Sequence, residues 1–395
     1  MTESSLRYAP EKNPELATPS TKACYVGVAG KARKVKKIYV GAANKARKVK
    51  KGYVGVGGKA RPFFSAEAEL TYYGTVTPLS KARPNLAATT VGGHGLFGGG
   101  GVESGPYFST VDAYTAALVR TTATELSEGR GDLAATTVGN FGLFGGGMAA
   151  ASRTNKVDAY STSLVRSTPT VLRESRSLLA ATTVGNNGLF GGGKAMTPGS
   201  AIVDAYDPAL VRSNPKTLNA ATSRLAATTV GGFGLFGGGT TPGELKSSSV
   251  TAYSTALVQM TPAKLSVARS SFTATTVGNY GLFGGGYSDK YENTVDAYTA
   301  ALVRTTATEL SEGRSYLAAT TVGNFGLFGG GYVYGSSSRV DAYNTSLVRS
   351  TPKFLSQGSS RLAATYIGNY ALFGGGQSPS EYIFRVHAYT VDGGG

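Results

Sequence analysis

A pattern of fifteen hydrophobic and polar positions recurs seven times along the chain. In the second copy, residues 133–138 (LAATTV) predict a β-strand, Gly139 and Asn140 predict a tight hairpin turn, and residues 142–144 begin a partner strand. We label these predicted strands a and b. The copies begin at Leu86, Leu133, Leu179, Leu225, Phe272, Leu317 and Leu362.

Two further strands are predicted in each copy. After a segment of variable sequence, residues 157–160 (VDAY) indicate strand c, and residues 164–166 begin strand d. The glycine that opens each GGG triplet recurs every 45 to 47 residues. This period is typical of four-stranded propeller blades and is too long for leucine-rich, ankyrin or tetratricopeptide repeats. Strand a carries Ala and Thr, and such small side chains suit innermost strands that converge on an axis.

The two ends of the repeat region complement each other. Residues 73–83 align with strand d at residues 120–130 but have no blade before them, whereas residues 382–391 supply a strand c with no strand d after it. Pairing the two would close the ring and remove exposed strand edges. We therefore predict an all-β fold, a seven-bladed β-propeller over residues 66–395, in which the N-terminal strand d joins the C-terminal strands a–c.

An Asp in strand c and an Arg at the start of strand d occur together in five copies. In the fourth blade both are replaced, by Thr251 and Gln259, and in the split blade the aligned residues are His387 and Tyr73. This joint replacement favours cross-strand ion pairs over the alternative of separately solvated charges. Treated as exposed pairs, they would contribute about 0.2–1 kcal/mol each. The predicted pairs are Asp112 with Arg120, Asp158 with Arg166, Asp204 with Arg212, Asp296 with Arg304, and Asp341 with Arg349.

Composition narrows the possible functions. The chain has a single cysteine, Cys24, which excludes an intramolecular disulfide and a cysteine-based metal cluster. His94 and His387 are the only histidines, and the sequence has no GxSxG motif and no phosphate-binding loop. We therefore predict no metal, no cofactor and no enzymatic activity. A propeller enzyme is the least favoured alternative.

The basic charge is concentrated before the repeats. Residues 1–65 hold 15 Lys and Arg against 3 acidic residues, a net charge of +12 out of +16 for the chain. Residues 1–21 are polar and predict a flexible N-terminus without a signal peptide, and no later stretch predicts membrane insertion. Residues 22–65 contain three near-copies of a Tyr-Val-Gly and Lys-Ala-Arg pattern at a spacing of 14. Their short apolar runs predict strands separated by Gly or Asn turns.

The segments that join strands b and c differ most between copies. By contrast, residues 111–130 and 295–314 are identical over twenty positions. A constant scaffold that carries variable loops on one rim is typical of a binding face, although neutral variation would give the same pattern. Aromatic and charged side chains in these loops are the predicted contacts with a glycan or protein: Tyr107, Phe108, Lys290, Tyr291, Tyr332, Tyr334, Glu381 and Tyr382.

The repeats resemble the kelch family. The resemblance rests on the glycine run that ends strand b, on the aromatic residue of strand c (Tyr160 in the second copy), and on an Arg that closes many repeats (Arg130). It covers residues 66–395 and implies a propeller that binds other molecules. The chain departs from the family in having no Trp in strand d, where we expect Leu118, Leu164 and Leu210 to take its place.

The basic tract resembles N-terminal repeats in predicted tail or minor structural proteins of phages that infect Gram-positive bacteria. This resemblance implies a virion protein of the tail or surface-fibre class, made in the host cytoplasm and anchored to other virion proteins through residues 22–65. The propeller would then display a rim for a host-surface glycan or protein, and a homo-oligomer stays open. The predicted anchoring residues are Lys34, Lys36, Lys37, Lys48, Lys50 and Lys51.

Other interpretations compete with the virion hypothesis. Lys and Arg interleaved with Tyr in the basic tract would also suit nucleic acid or another polyanion, and the tract could be a solubilising tail. The whole chain could instead be an intracellular bacterial scaffold of the kelch type. These alternatives share the predicted fold and differ only in the partner.

Overall fold

The computed structural model of the chain describes residues 25–28, 31–34, 38–42, 45–48, 51–56, 59–65, 68–102, 105–150, 152–195 and 199–392. These residues divide into two compact units, one that contains the strands before residue 66 and one that comprises Leu70–Val391. All helices and strands that could be assigned in the described ranges are β-strands. The predicted all-β class is therefore confirmed.

Three antiparallel hairpins form the described part of the N-terminal unit. Their strands are β1 (Tyr25–Val28), β2 (Lys31–Lys34), β3 (Tyr39–Ala42), β4 (Lys45–Lys48), β5 (Lys51–Val56) and β6 (Lys59–Ser65). Tyr25 lies opposite Lys34 in the first hairpin, and Tyr39 lies opposite Lys48 in the second. The 14-residue repeat of the sequence is thus also a repeat of strand register.

The described part of the second unit contains seven four-stranded antiparallel sheets arranged as a β-propeller. We number the sheets as blades 1 to 7 in chain order. Blade 1 consists of β8 (Ala87–Val91), β9 (His94–Gly98), β10 (Val111–Thr115) and β11 (Arg120–Ala123). Blade 2 consists of β12 (Ala134–Val138), β13 (Phe141–Gly145), β14 (Val157–Ser161) and β15 (Arg166–Ser167). Blade 3 consists of β16 (Ala180–Val184), β17 (Asn187–Gly191), β18 (Val203–Tyr206) and β19 (Arg212–Ser213). Blade 4 consists of β20 (Ala226–Val230), β21 (Phe233–Gly237), β22 (Val250–Ser254) and β23 (Gln259–Met260). Blade 5 consists of β24 (Thr273–Val277), β25 (Tyr280–Gly284), β26 (Val295–Thr299) and β27 (Arg304–Thr306). Blade 6 consists of β28 (Ala318–Val322), β29 (Phe325–Gly329), β30 (Val340–Asn344) and β31 (Arg349–Ser350).

Blade 7 is assembled from both ends of the repeat region. Its sheet has the strand order β32 (Ala363–Ile367), β33 (Tyr370–Gly374), β34 (Val386–Asp392) and β7 (Glu69–Val76). The outermost strand of this blade therefore precedes blade 1 in the sequence, as predicted. This pairing closes the ring without leaving β34 as an open edge.

The turn between strands c and d differs from the prediction. Leu164 was expected in strand d, but its φ of 60° places it in the left-handed region, in a turn that ends before Arg166. The N–H of Leu164 donates to the carbonyl of Ser161 at 2.9 Å, which closes this turn. Leu118 and Leu210 have the same conformation, with φ of 61° and 62°. Leu118 belongs to an apolar cluster between blades, and Leu164 and Leu210 pack against such clusters, but all three do so from the turn and not from strand d.

Apolar side chains fill the interfaces between consecutive blades. Phe144 and Tyr160 of blade 2 pack in one cluster with Leu96 and Val111 of blade 1. The Phe144 and Tyr160 ring centroids lie 5.8 Å apart at an interplanar angle of 88°, an edge-to-face arrangement. The buried Tyr160 hydroxyl donates to the carbonyl of Thr124 at 2.7 Å. The Tyr160 ring therefore packs in the apolar cluster, while its hydroxyl group binds the neighbouring blade.

Threonine side chains link the innermost strands around the axis. The hydroxyls of Thr89 and Thr137 lie 2.8 Å apart, and Thr137 also donates to the carbonyl of Thr90. Among the described residues, such a hydroxyl pair joins six of the seven pairs of neighbouring innermost strands. Between blades 6 and 7, Tyr366 stands where the second threonine would be. The small residues of strand a thus provide both close approach and hydrogen bonds.

Five aspartates of strand c are buried, and each contacts one fully buried and one partly exposed arginine; Asp204 also lies 3.6 Å from Arg173. In blade 2 the predicted partner, Arg166, places Nη1 3.3 Å from Asp158 Oδ1. Arg130, which is fully buried, places Nη2 2.7 Å from Asp158 Oδ2 and also donates to the carbonyl of Phe144. Treating these pairs as exposed was therefore wrong. The buried partners are Arg83 for Asp112, Arg130 for Asp158, Arg176 for Asp204, Arg269 for Asp296 and Arg314 for Asp341.

The predicted strand-d partners are partly exposed and less uniform than the buried arginines. The N–O distance is 2.9 Å for Arg120 with Asp112, 3.3 Å for Arg166 with Asp158, 3.8 Å for Arg212 with Asp204, 3.0 Å for Arg304 with Asp296 and 2.9 Å for Arg349 with Asp341. Arg212 instead donates from Nη1 to the carbonyl of Val171 at 2.7 Å. Hence the buried arginine is the constant member of the network.

Blade 4 replaces this network with neutral groups. Thr222 occupies the place of the buried arginine, and the Thr251 hydroxyl accepts a hydrogen bond from the N–H of Asn219 at 2.9 Å. Gln259 donates to Asn219 Oδ1 at 3.1 Å. A cavity of about 10 Å³, room for about one water molecule, lies beside Thr222 and Thr251.

Blade 7 uses a different neutral substitute. The Tyr72 hydroxyl lies 3.2 Å from Nδ1 of the buried His387. The alignment had named Tyr73 as the partner of His387, but Tyr73 is 57% exposed and its ring packs against Tyr370. Burial, with a smaller effect from Arg385, lowers the pKa of His387 to about 4. The imidazole is therefore neutral at physiological pH, and it takes no counter-ion.

Candidate binding face

One residue from each blade forms a ring at one end of the central axis. The residue immediately before the LAATT-type run has a φ between 52° and 57° in all seven blades of the described structure. Its N–H donates to the carbonyl of the equivalent residue in the neighbouring blade at 2.8–3.0 Å, which closes a ring of backbone hydrogen bonds. We call these residues the mouth ring: Asn85, Asp132, Leu178, Arg224, Ser271, Tyr316 and Arg361.

The mouth ring surrounds a cavity of about 360 Å³, which we call the mouth cavity. Met148, Arg153 and Lys194, from the segments that join strands b and c, also line it. These segments and the mouth ring therefore lie on the same face of the propeller. The volume falls within the range of about 300–1,000 Å³ that is typical of small-molecule sites.

Basic side chains outnumber acidic ones around the mouth cavity. Arg153, Lys194, Arg224 and Arg361 line it, against Asp132 as the acidic residue among its described lining. The Nε atoms of Arg153 and Arg224 are buried and have no hydrogen-bond partner. The Arg361 guanidinium lies 4.7 Å from the centroid of the Tyr316 ring. A concave surface of this charge favours anions over cations.

Four tyrosines gather beside the mouth ring, and we call them the tyrosine cluster. Tyr291 is their centre, with ring centroids 5.4 Å from Tyr287, 5.9 Å from Tyr332 and 5.5 Å from Tyr334, all edge-to-face. Tyr334 is 93% exposed. Burial raises the pKa of Tyr291, and the neighbouring tyrosines, Tyr316 of the mouth ring among them, raise it further. Ser315, which precedes Tyr316 of the mouth ring, pairs with Tyr332 through two backbone hydrogen bonds of 3.0 and 2.7 Å, so the cluster lies next to the mouth ring.

The structure brings together only some of the predicted contact residues. Tyr291, Tyr332 and Tyr334 meet in the tyrosine cluster, whereas Tyr287 had not been named. Lys290, which directly precedes Tyr291 in the sequence, is exposed to solvent. The other four lie in the loops of blades 1 and 7: Tyr107, Phe108, Glu381 and Tyr382.

The candidates in blades 1 and 7 already have partners within the protein. The Lys81 ammonium lies 5.7 Å from the centroid of the Phe108 ring. Glu381 accepts a hydrogen bond from Gln357 at 2.7 Å, and Tyr382 bridges to Gln377 through the backbone. These contacts order the loops, and their role in binding stays a prediction.

The predicted anchoring lysines belong to the N-terminal unit. Lys34 ends β2, Lys48 ends β4 and Lys51 begins β5. Lys36, Lys37 and Lys50 lie outside the described residues. The role of this segment in anchoring or in binding a polyanion stays a prediction.

Sequence reasoning missed the mouth ring. Its members were assigned to the connection before strand a and given no function. A signal was present, because the position before LAATT reads N, D, L, R, S, Y and R in seven otherwise near-identical copies. Only the closed ring shows that these seven positions share one cavity.

Comparison with known proteins supports the fold and leaves the function open. The solved structure of YjhT matches with a TM-score of 0.57 and 12% sequence identity, over 70% of this chain and 99% of that chain. The fold is a β-propeller. No protein-family model matches the chain, and no curated protein matches it. At this identity the likeness to YjhT extends to the fold alone.

No group of three or more His, Cys, Asp or Glu side chains suited to a metal ion occurs in the described part of the chain. No helix there is long and apolar enough to cross a lipid bilayer.

Proposed function

We propose that this chain is a non-enzymatic binding protein whose propeller recognises a glycan on a host surface through the tyrosine cluster. The observation that carries the proposal is the exposed arrangement of Tyr287, Tyr291, Tyr332 and Tyr334 around one centre. Aromatic side chains provide large contact area at low conformational cost, and their hydroxyls supply hydrogen bonds at the edge of the apolar surface. Both properties suit a sugar ring, which has an apolar face and a polar rim.

The way the blades hold the variable loops supports this proposal. The ring centroids of Tyr291 and Tyr334 lie 5.5 Å apart and belong to the loops of blades 5 and 6, so the surface forms only when these two blades pack together. Rigid strands hold the ends of both loops, because each loop begins at the glycine run of strand b and ends at the buried strand c. A rigid scaffold that presents variable loops is a common basis of recognition.

We further propose that the chain acts in a phage virion, in the tail or surface-fibre class. This part rests on the kelch-like repeats and on the resemblance of the basic tract to phage structural proteins. In this proposal residues 22–65 attach the chain to other virion proteins, and the propeller faces the host.

The test replaces Tyr334 and, separately, Tyr291 by Ala in the full-length chain. Binding to intact Gram-positive cells and to a panel of their surface polysaccharides is measured by sedimentation and by titration. We expect Tyr291→Ala to weaken binding at least tenfold and Tyr334→Ala to weaken it several-fold, since truncation of central aromatic contacts commonly costs more than 1 kcal/mol. Phe354→Ala, a change at a 40% exposed aromatic outside the cluster, should leave binding unchanged.

Three outcomes would decide against this function. Binding that survives both tyrosine changes would exclude the tyrosine cluster as the site. Binding to virion proteins but to no polysaccharide or cell would make the propeller an assembly module. Turnover of a bound sugar would overturn the non-enzymatic proposal.

A further inference from the structure

The mouth ring combines backbone strain with side-chain variety. A non-glycine residue with positive φ is uncommon, and for large side chains this conformation costs on the order of 1 kcal/mol or more. Glycine would avoid this cost, and the chain contains 56 glycines, yet none of the seven positions is glycine. The side chains at these positions therefore do something that a bare backbone turn does not.

The closed hydrogen-bond ring fixes where these side chains begin. Because each N–H binds the carbonyl of the neighbouring blade, all seven backbones are held at one level around the axis. All seven residues line the mouth cavity. Changes of side chain at these positions alter the cavity without altering the blades.

The charged members of the ring occupy separate sectors. Arg224 and Arg361 are three blades apart, with Ser271 and Tyr316 between them on one side. Asn85, Asp132 and Leu178 lie on the other side of the ring. The sector from Arg224 to Arg361 therefore offers two guanidinium groups and two hydroxyl groups, which together suit an anion with several acceptor oxygens.

Two further basic residues add to the positive charge of the mouth cavity. Arg153 and the exposed Lys194, from the segments that join strands b and c in blades 2 and 3, also line it. An anion bound in the cavity would therefore lie among four basic side chains.

We propose that the mouth cavity binds an anionic group, a carboxylate or a phosphate, carried by the glycan whose sugar rings contact the tyrosine cluster. This inference rests on the proposed function and adds the charge class of the ligand. Arg224 and Arg361 bind the anion, and Ser271 and Tyr316 donate hydrogen bonds to it. Tyr316 links the two sites, because its ring stacks with Arg361 and the residue before it, Ser315, pairs with Tyr332 of the tyrosine cluster through the backbone.

The experiment compares three soluble probes with the full-length chain: poly(glycerol phosphate), polygalacturonate and neutral dextran. Isothermal titration is carried out with the unchanged chain and with Arg224→Gln, Arg361→Gln and Lys264→Gln. Lys264 is exposed and does not line the cavity, so its variant has the same loss of charge at a distance from the site. The basic N-terminal segment is the same in all four proteins.

We expect Arg224→Gln and Arg361→Gln each to weaken binding of an anionic probe about tenfold or more, since charge-assisted hydrogen bonds are among the stronger ones. Lys264→Gln should change it less than twofold. A preference for poly(glycerol phosphate) identifies phosphate as the group, and a preference for polygalacturonate identifies carboxylate. Circular dichroism melting of each variant checks that the ring remains closed.

The results separate this inference from the proposed function. Equal binding of dextran and of both anionic probes, with loss only in Tyr291→Ala, would overturn the anion site and leave glycan recognition in place. Equal weakening by Lys264→Gln and by Arg224→Gln would show that general positive charge, and not the cavity, attracts the probe. Failure to bind any probe or cell would remove both proposals.

Discussion

Each of the five buried aspartates of strand c receives charge from two directions. Arg130 approaches Asp158 from the connection before strand a, and Arg166 approaches it from the adjacent strand of the same blade. Complete removal of the network is tolerated, because blade 4 retains the same strands with Thr222, Thr251 and Gln259 instead. Partial removal is expected to destabilise the blade, because a buried charge without its partner keeps its desolvation cost.

We predict that Asp158→Asn destabilises the propeller far more than Arg166→Gln does. Asp158→Asn leaves the fully buried Arg130 without a counter-ion, which typically costs about 3–5 kcal/mol. Arg166 is 27% exposed, and its loss should cost about 1 kcal/mol or less. Urea denaturation followed by tyrosine fluorescence measures both.

A triple variant is the matched control for this prediction. Arg130→Thr, Asp158→Thr and Arg166→Gln together reproduce the neutral set of blade 4, and we expect a smaller loss than in Asp158→Asn alone. If the triple variant lost the sum of three large effects, charge burial would not be the source of the cost.

At the scale of the element, much of each blade could be predicted because its signals are local. The prediction for strand b began one residue inside β13, and the Gly139-Asn140 hairpin turn was correct. The c–d turn was missed because Leu164 has no local preference for positive φ, and packing between blades imposes that conformation. The buried Arg130 was noticed only as a closing residue, since its contact with Asp158 spans 28 residues.

The candidate site was harder to predict than the blades. Aromatic residues in the variable loops drew attention to Tyr291, Tyr332 and Tyr334, but their sequence positions do not show that the three rings meet. The mouth ring depends on closure of all seven blades, and no single repeat contains the information. The prediction of the site from sequence is therefore limited by loop geometry and by closure of the ring, which both depend on residues far apart in the chain.

The glycine that opens each GGG triplet provides a test of the blade interface. A methyl group at Gly145 would lie 2.7 Å from Cε1 of Phe190, whereas one at Gly237 would lie 3.3 Å from Cε1 of Phe283. Neither glycine has a positive φ, so the comparison isolates crowding. We predict that Gly145→Ala costs about 1–3 kcal/mol and that Gly237→Ala costs less, because Phe283 needs to move only slightly.

Thermal and urea denaturation of the two alanine variants measure the difference. Equal destabilisation would show that the aromatic ring adjusts freely at both interfaces, and that the glycine is required for another reason.

At the scale of the whole molecule, closure joins the stability of the propeller to its proposed function. The mouth ring hydrogen bonds run through all seven blades, and the bond between Asn85 and Arg361 joins the first blade to the last. The seventh blade has its fourth strand only when β7 pairs with β34. The mouth cavity, which is lined from every blade, therefore requires the same closure as the fold.

Removal of β7 is consequently predicted to open the ring. Deletion of residues 1–64 leaves β7 intact, and we expect a monomeric propeller with a cooperative thermal transition. Deletion of residues 1–85 removes β7 and also Leu79, Arg83 and Asn85, which are a core residue, the buried partner of Asp112 and a member of the mouth ring. Strand β34 would then present an unpaired edge, and such edges promote association between chains. Size-exclusion chromatography with light scattering should show aggregates or open multimers for the longer deletion, together with a lower melting temperature and loss of binding. The same mass, melting temperature and binding in both truncations would mean that blades 1 to 6 with β32–β34 hold the ring closed by themselves.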